Sequence, residues 1–343
     1  MTITATARGG ARDLLQVAIA FGLGVALLSA FLAVAGFHVA AAFSALWQGA
    51  FGSWYNFTSA ALVRATPLVI LGLAFTLGSK AGALNVGMEG QFAAGAIGTT
   101  WAGLHVGGAP TIVAVGAALM AGLAGGMAWV ALPVMLRLKL GVSEVISTLL
   151  LNFVGLAAVS YAVTGPLQEP SRTYPESAMI GQAVRLPHLA PGSRLHVGFI
   201  FAIILAGLLS LLLTRTSWGF RVRATGAGPR AALISGRMPV GAIAAAALLW
   251  SGGLAGFAGG VEVTGVSYAL YQNLSPGYGF TAIAVALLGR LQPILVLVAG
   301  VLFGALEAGA AAMQRDAGIP AVAVQVVEAV VILAMLISAR RGR

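Results

Sequence analysis

Ten apolar runs follow one another along this chain, and its basic residues collect in the gaps between them. A helix needs about 20 apolar residues to cross the hydrocarbon core of a bilayer, so the pattern predicts an all-α, polytopic integral membrane protein. The runs cover about 14–36, 59–78, 82–104, 111–136, 143–164, 196–214, 239–260, 278–289, 293–312 and 320–339, with edges good to about two to four residues. The eighth is too short to span alone and is expected to be tilted, broken or extended by its neighbours. Only 8% of the residues are charged, against roughly 25% in a soluble domain, too few to cover a water-soluble core. Arg8 and Arg12 imitate the start of a signal peptide, but the run behind them reaches Phe37 and is read as a retained first helix.

Short loops rich in Lys and Arg stay on the cytoplasmic side. With the N-terminus inside, alternation through ten spans places fourteen basic residues in the cytoplasm and four outside, namely Arg172, Arg185, Arg194 and Arg315. Arg64 is left near the outer end of the second span. Both termini are therefore expected inside, the first 13 residues included. The net charge of +10 follows this bias rather than a nucleic-acid-binding face, so no nucleic acid polymer is expected as a partner. The chain has no cysteine, which excludes disulfides, thiol catalysis and Cys-type metal sites.

The most basic stretch is Thr214 to Pro239, TRTSWGFRVRATGAGPRAALISGRMP, with Arg215, Arg221, Arg223, Arg230 and Arg237 and no acidic residue. It forms a cytoplasmic loop over 215–238, with one short helix, about Pro229 to Gly236, protruding to meet a partner. The long outer loop, 165–195, carries Pro166, Pro170, Pro175, Pro187 and Pro191. These hold it in extended or turn structure with room for one short helix, either as a passive connector or as a docking point for an external protein.

Three stretches stand out. Ser79 to Phe92, SKAGALNVGMEGQF, is too polar and glycine-rich for a lipid-facing helix start. Irregular backbone at membrane depth is tolerated where protein buries it or where it lines a cavity, and broken helices build many transport sites. A broken-helix segment is therefore expected near 80–92. Asn85, Glu89 and Gln91 either face a transport path or satisfy the broken helix ends and pair with Lys80. In SGGLAGFAGGVEVTG, Ser251 to Gly265, the glycines at 252, 256 and 260 make one bare face for close helix packing. In PGYGFTAIAVALLGR, Pro276 to Arg290, Gly277 and Gly279 flank Tyr278 with Phe280 next. These rings either stack on a flat substrate or anchor an interface. Asn152, Glu307 and Glu328 fall inside spans and suit interhelical hydrogen bonds, and Glu144, near Lys139, suits a salt bridge or a helix-start contact.

No G-x-x-x-x-G-K-[ST] phosphate loop occurs, so the chain is no ATPase by itself and is expected to bind no cofactor. Asp13, Asp316, His38, His105, His188 and His196 are too scattered to build a metal or acid–base site, which argues against a membrane enzyme. A secondary transporter coupled to an ion gradient through Glu89, Glu307 and Glu328 is the other transport reading.

LNVGMEGQ at 84–91, SEVISTLLLNFVG at 143–155, RATGAGPRAALISG at 223–236 and GFTAIAVALLG at 279–289 resemble the permease subunits of bacterial ABC importers. The likeness is to the nucleoside and simple-sugar branch, related to the ribose and branched-chain amino acid permeases. It runs from about residue 60 onward. The resemblance implies one permease domain over 1–343 in the bacterial inner membrane, working by alternating access. It also implies a second permease, identical or paralogous, ABC ATPase subunits that hold ATP and Mg, and an extracytoplasmic substrate-binding lipoprotein. It matches 223–236 to the helix that couples to the ATPase, with Arg221, Arg223, Gly226, Pro229, Arg230 and Gly236 as contact candidates. Leu233-Ile234-Ser235-Gly236 replaces the aromatic or small pair usual before that glycine. Candidates for the substrate pathway are Asn85, Glu89, Gln91, Phe92, Asn152, Tyr278 and Phe280.

Overall fold

A computed structural model describes residues 28–106, 108–234 and 238–320, with 22, 25, 26, 326 and 329. Among these, the named elements are helices, in the order α1 Val39–Phe51, α2 Leu62–Lys80, α3 Met88–His105, α4 Thr111–Leu140, α5 Glu144–Thr164, α6 Gly198–Arg215, α7 Ser217–Ala227, α8 Pro229–Ile234, α9 Val240–Glu262, α10 Tyr278–Leu288 and α11 Pro293–Asp316. A short helix, Trp54–Asn56, and a π turn, Phe57–Ala61, lead into α2. The π turn Val263–Ser267 continues α9.

Six of the described helical segments are long and apolar enough to cross a membrane: Trp54–Lys80, α4, α5, α6, Val240–Ser267 and α11. The expected count of about ten is thus not reached among the described residues. The first and last expected spans, 14–36 and 320–339, lie largely outside them, Glu328 included. The third, α3, forms as a helix but begins Met-Glu-Gly-Gln and is mostly buried against its neighbours. The eighth, α10, has 11 residues. Two helices went unforeseen. α1 is too short to announce itself as a span, and α7 occupies half of what read as an irregular basic loop. The short helix expected to reach Gly236 is described only to Ile234, and Ser235 to Arg237 lie outside the described residues.

The chain divides into two compact units, residues 1–64 with 302–343, and residues 65–301. In the first, Leu28, Leu32, Ala42, Ala45, Ala310, Met313 and Ile319 form one apolar core. Close helix approach sets its geometry, since a Cβ on Gly49 would overlap the Ala312 methyl.

In the second unit, α3, α4 and α9 pack with their backbones nearly in contact. A Cβ on Gly256 would collide with the Gly122 carbonyl and would lie 2.7 Å from the Gly126 Cα. The four-residue glycine spacing of α9 thus brings helices together as expected, the way small residues do where apolar burial gives no drive between helices. Glu144 stands in the first turn of α5, as one of its two readings had it, and its salt bridge is to Arg137, 3.1 Å away, rather than to Lys139. Arg137 lies on the α4 turn that ends at the left-handed Gly141.

The segment 165–197 is not a free loop. Ser177 and Ile180 donate backbone N–H groups to the carbonyls of Leu270 and Tyr268, each at 2.8 Å, and Leu186 donates to Thr264 at 2.8 Å. The Arg185 guanidinium lies 4.6 Å from the centre of the Tyr268 ring. Its one helical turn is the 3₁₀ segment Gln182–Val184.

Candidate translocation site

Two interruptions of helix meet in the second unit. The first joins α2 to α3. There the N–H groups of Ala81 and Ala83 both donate to the Gly78 carbonyl, and Gly82 takes φ +73°, the left-handed region where a side chain is strained. The second precedes α10, whose 11 residues rise about 16 Å, half of a hydrocarbon core about 30 Å thick. The chain between the π turn and α10 is therefore non-helical, and Gly277 at φ +101° turns it into the helix.

Glu89 ties the two together. It stands in the first turn of α3, where the helix dipole favours a carboxylate. Its Oε2 accepts the Gly279 N–H from the first turn of α10 at 2.7 Å. The Ser275 hydroxyl also bonds it, and Ser275 Oγ in turn accepts from the N–H groups of Gly277 and Tyr278 at 3.1 and 3.0 Å. A buried helix start must have its orphan donors satisfied, and here a side chain from another helix does it.

The remaining polar residues of 84–91 serve the break itself. Asn85 and Gln91 form a reciprocal amide pair, Nδ2 to Oε1 at 2.7 Å and Nε2 to Oδ1 at 2.9 Å. Asn85 Nδ2 also donates to Ser251 Oγ at 2.8 Å, and Ser251 donates to the Ala74 carbonyl at 2.7 Å. Asn152 closes the other side, accepting from the Gly90 N–H and donating to the Val86 carbonyl, both at 2.9 Å. Asn85, Gln91 and Asn152 are thus consumed by protein partners.

Glu89 and Phe92 instead border a cavity of about 240 Å³, with Ser160 of α5 and Gln272, Asn273 and Ser275 from the chain before α10. None of its lining residues is basic. Tyr278 sits behind it, its ring edge-on to Phe92 at 6.3 Å between centres. Phe280 is exposed and does not line the cavity. Gln272, Asn273 and Ser275 were passed over in the sequence. Their signal was a run of hydrogen-bonding residues, YQNLSP, directly before the glycine-flanked Tyr278.

The basic segment reaches the same region from the other end. Thr216 caps α7, accepting the Gly219 N–H at 3.0 Å. Arg223 donates to the Leu213 carbonyl, holding α7 against the end of α6. Gly226 lies on the turn between α2 and α3, where a Cβ would overlap the Lys80 carbonyl and lie 2.9 Å from the Gly82 nitrogen. Arg221 and Arg230 are exposed, and Pro229 opens α8. Gly236 lies outside the described residues.

Six apolar helices of membrane length among the described residues, with a polar cavity between α3, α5 and the chain before α10, have the plan of a membrane transport subunit. The chain belongs to the family described as the permease component of the branched-chain amino acid transport system, whose profile matches residues 57–339. It is 34% identical to the glucose ABC transporter permease protein of Haloferax volcanii, over 93% of this chain and 88% of that one. It is also 34% identical to the guanosine ABC transporter permease protein of Bacillus subtilis, over 93% and 92%. The nucleoside ABC transporter permease protein of Lactococcus lactis subsp. cremoris is 32% identical, over 92% and 88%.

Proposed function

We propose that the chain is the permease subunit of an ABC importer for nucleosides or simple sugars, working by alternating access and driven by a separate ATPase. It sits in the inner membrane with both termini in the cytoplasm. A second permease, identical or paralogous, completes the pathway, and an extracytoplasmic lipoprotein delivers the substrate. ATP and Mg belong to the ATPase.

The observation that carries this reading is the Glu89 cavity. It offers a carboxylate, two amides, two hydroxyls and the Phe92 ring, with no basic residue among its lining. That set suits a neutral solute that donates hydrogen bonds, and it disfavours anions through charge and desolvation. The relatives are named for glucose, guanosine and nucleosides, which share that chemistry.

In this mechanism no covalent step falls to the chain. ATP draws the ATPases together, and they carry the α7–α8 segment with them. Gly226 leans on the turn at Lys80 to Gly82, so displacement of α7 bears on the start of α3 through packed backbone. Glu89 then moves with α3, and its bond to Gly279 draws α10 along. The cavity thereby changes the side to which it opens.

The test is uptake of radiolabelled nucleosides and hexoses into proteoliposomes holding this chain with its ATPase, second permease and lipoprotein. Uptake should require ATP and should be competed by nucleosides or hexoses but not by their monophosphates. Concentrative uptake by this chain alone, driven by an ion gradient, overturns the reading.

A further inference from the structure

A second cavity, of about 330 Å³, lies among α2, α6, α7 and α9. Its walls are apolar, with Leu73, Leu77, Leu208 and Leu212 along it and Trp218 and Trp250 at its sides. Leu208 and Trp250 are half exposed or more, while Leu73, Leu77 and Leu209 are buried, so the groove opens to the surface at α6 and α9 and has its floor on α2. Nothing in the substrate site uses it.

Two arginines adjoin this groove. Leu212 is the last groove residue of α6, and Arg215 follows it by three positions; Trp218 is the first of α7, and Arg221 follows it by three. Residues three apart on a helix are surface neighbours, so each arginine neighbours a groove-lining residue on its own helix. Both are exposed, and neither has a carboxylate partner among the described residues. No Asp or Glu occurs anywhere between Thr214 and Pro239.

The geometry points to a binding site for an anionic phospholipid, with an acyl chain in the leucine groove and the phosphate held by Arg215 and Arg221. Basic clusters at the membrane edge of helix pairs recruit anionic headgroups, and tryptophan favours the headgroup level. A second copy of this chain fits the groove less well. In a two-fold contact it would bring its own arginines to the same depth, where like charges repel.

The experiment uses the full chain in vesicles, without ATPase or lipoprotein, so its outcome does not depend on the transport reading. Fluorescence of the wild type minus that of Trp218→Phe isolates the signal of Trp218. Brominated phosphatidylglycerol is titrated against brominated phosphatidylcholine at low salt. The expected result is that the anionic lipid quenches Trp218 at a mole fraction about tenfold lower, and that Arg215→Gln/Arg221→Gln abolishes this preference while quenching by phosphatidylcholine stays. Equal quenching by the two lipids overturns the proposal, as does a preference that survives in the double variant. Absence of quenching by either lipid also overturns it, and marks the groove as covered by a second copy.

Discussion

The Oε2 of Glu89 accepts the backbone N–H of Gly279 at 2.7 Å, across 190 positions of sequence. Each residue stands in the first turn of a helix that starts inside the protein. One carboxylate therefore serves two helix starts and borders the polar cavity as well. A charged acceptor is worth more than a neutral one, about 1.5–3 kcal/mol against about 1. Replacing Glu89 with Ala should thus lower the unfolding free energy of the purified chain by about 2 kcal/mol and abolish uptake. Glu89→Gln keeps an acceptor for the Gly279 amide and should recover most of the stability but not the uptake. Thermal unfolding in detergent and proteoliposome transport check this, and an Ala variant with unchanged unfolding would sink it.

Gly279 has no room for a side chain. A Cβ there would lie 2.5 Å from the Glu89 nitrogen and 2.8 Å from its Cα, and these are backbone atoms that cannot swing aside. Gly279→Ala should therefore push α10 off α3 and abolish uptake in protein that still inserts. Gly207 of α6 has nothing within 4 Å of its would-be Cβ, so Gly207→Ala should be neutral or stabilise by up to about 1 kcal/mol. Equal behaviour of the two variants would refute the packing argument.

Gly226 and Arg230 separate transmission from attachment. A Cβ at Gly226 presses on the Lys80 carbonyl and the Gly82 nitrogen. Gly226→Ala should leave the ATPase bound and hydrolysing while uptake per ATP falls about tenfold or more, since a rigid contact shifted by even an ångström loses its coupling. Arg230 is exposed at the start of α8, and Arg230→Glu should instead release the ATPase. Pull-down, ATP hydrolysis and uptake measured on the same preparations distinguish the two. Retained ATPase with Arg230→Glu counts against the assignment of α8. The cysteine-free chain also allows Arg230→Cys to be labelled from one side at a time, and labelling only from outside would reverse the topology.

His196 lies in the segment 165–197, two residues before α6, buried and packed on Gly265 and Gly198. Its Nδ1 accepts the Gly198 N–H at 3.2 Å. Burial, with lesser repulsion from His188 and Arg194, lowers its pKa from 6.5 to about 4. Between those values the unfolded segment binds more protons than the folded one. Stability from this group is therefore complete above about pH 6.5 and is lost as pH falls toward 4, by about 3 kcal/mol at most. Proteolysis of residues 165–197 should quicken over that range in the wild type, and His196→Gln should flatten the profile. An equally steep profile in the variant would show that other groups are responsible.

The long spans and the break near 80–92 were legible because each depends on neighbours along the chain. α4, α5, α6 and α9 begin within a few residues of the apolar runs that foretold them, since helix length in a bilayer follows from run length alone. α1 escaped because its 13 residues are too few for a span, and α7 because arginine and glycine are as common in loops as in short helices. The polar candidates of 84–91 were found as residues with two roles open, facing a path or satisfying the broken helix ends, and Asn152 as an interhelical hydrogen bonder. Asn85, Gln91 and Asn152 turned inward to close the break, while Glu89 and Phe92 were left bordering the cavity.

Insertion in the membrane and the weak point ahead of α3 were both written in local pattern, because desolvation acts on each segment by itself. Which donor Glu89 would meet, and that Gly226 would rest on Gly82, depended on segments far apart in sequence coming within a hydrogen bond or a van der Waals radius of each other. Residue type shows only that such a group needs a partner, and helix packing selects the partner.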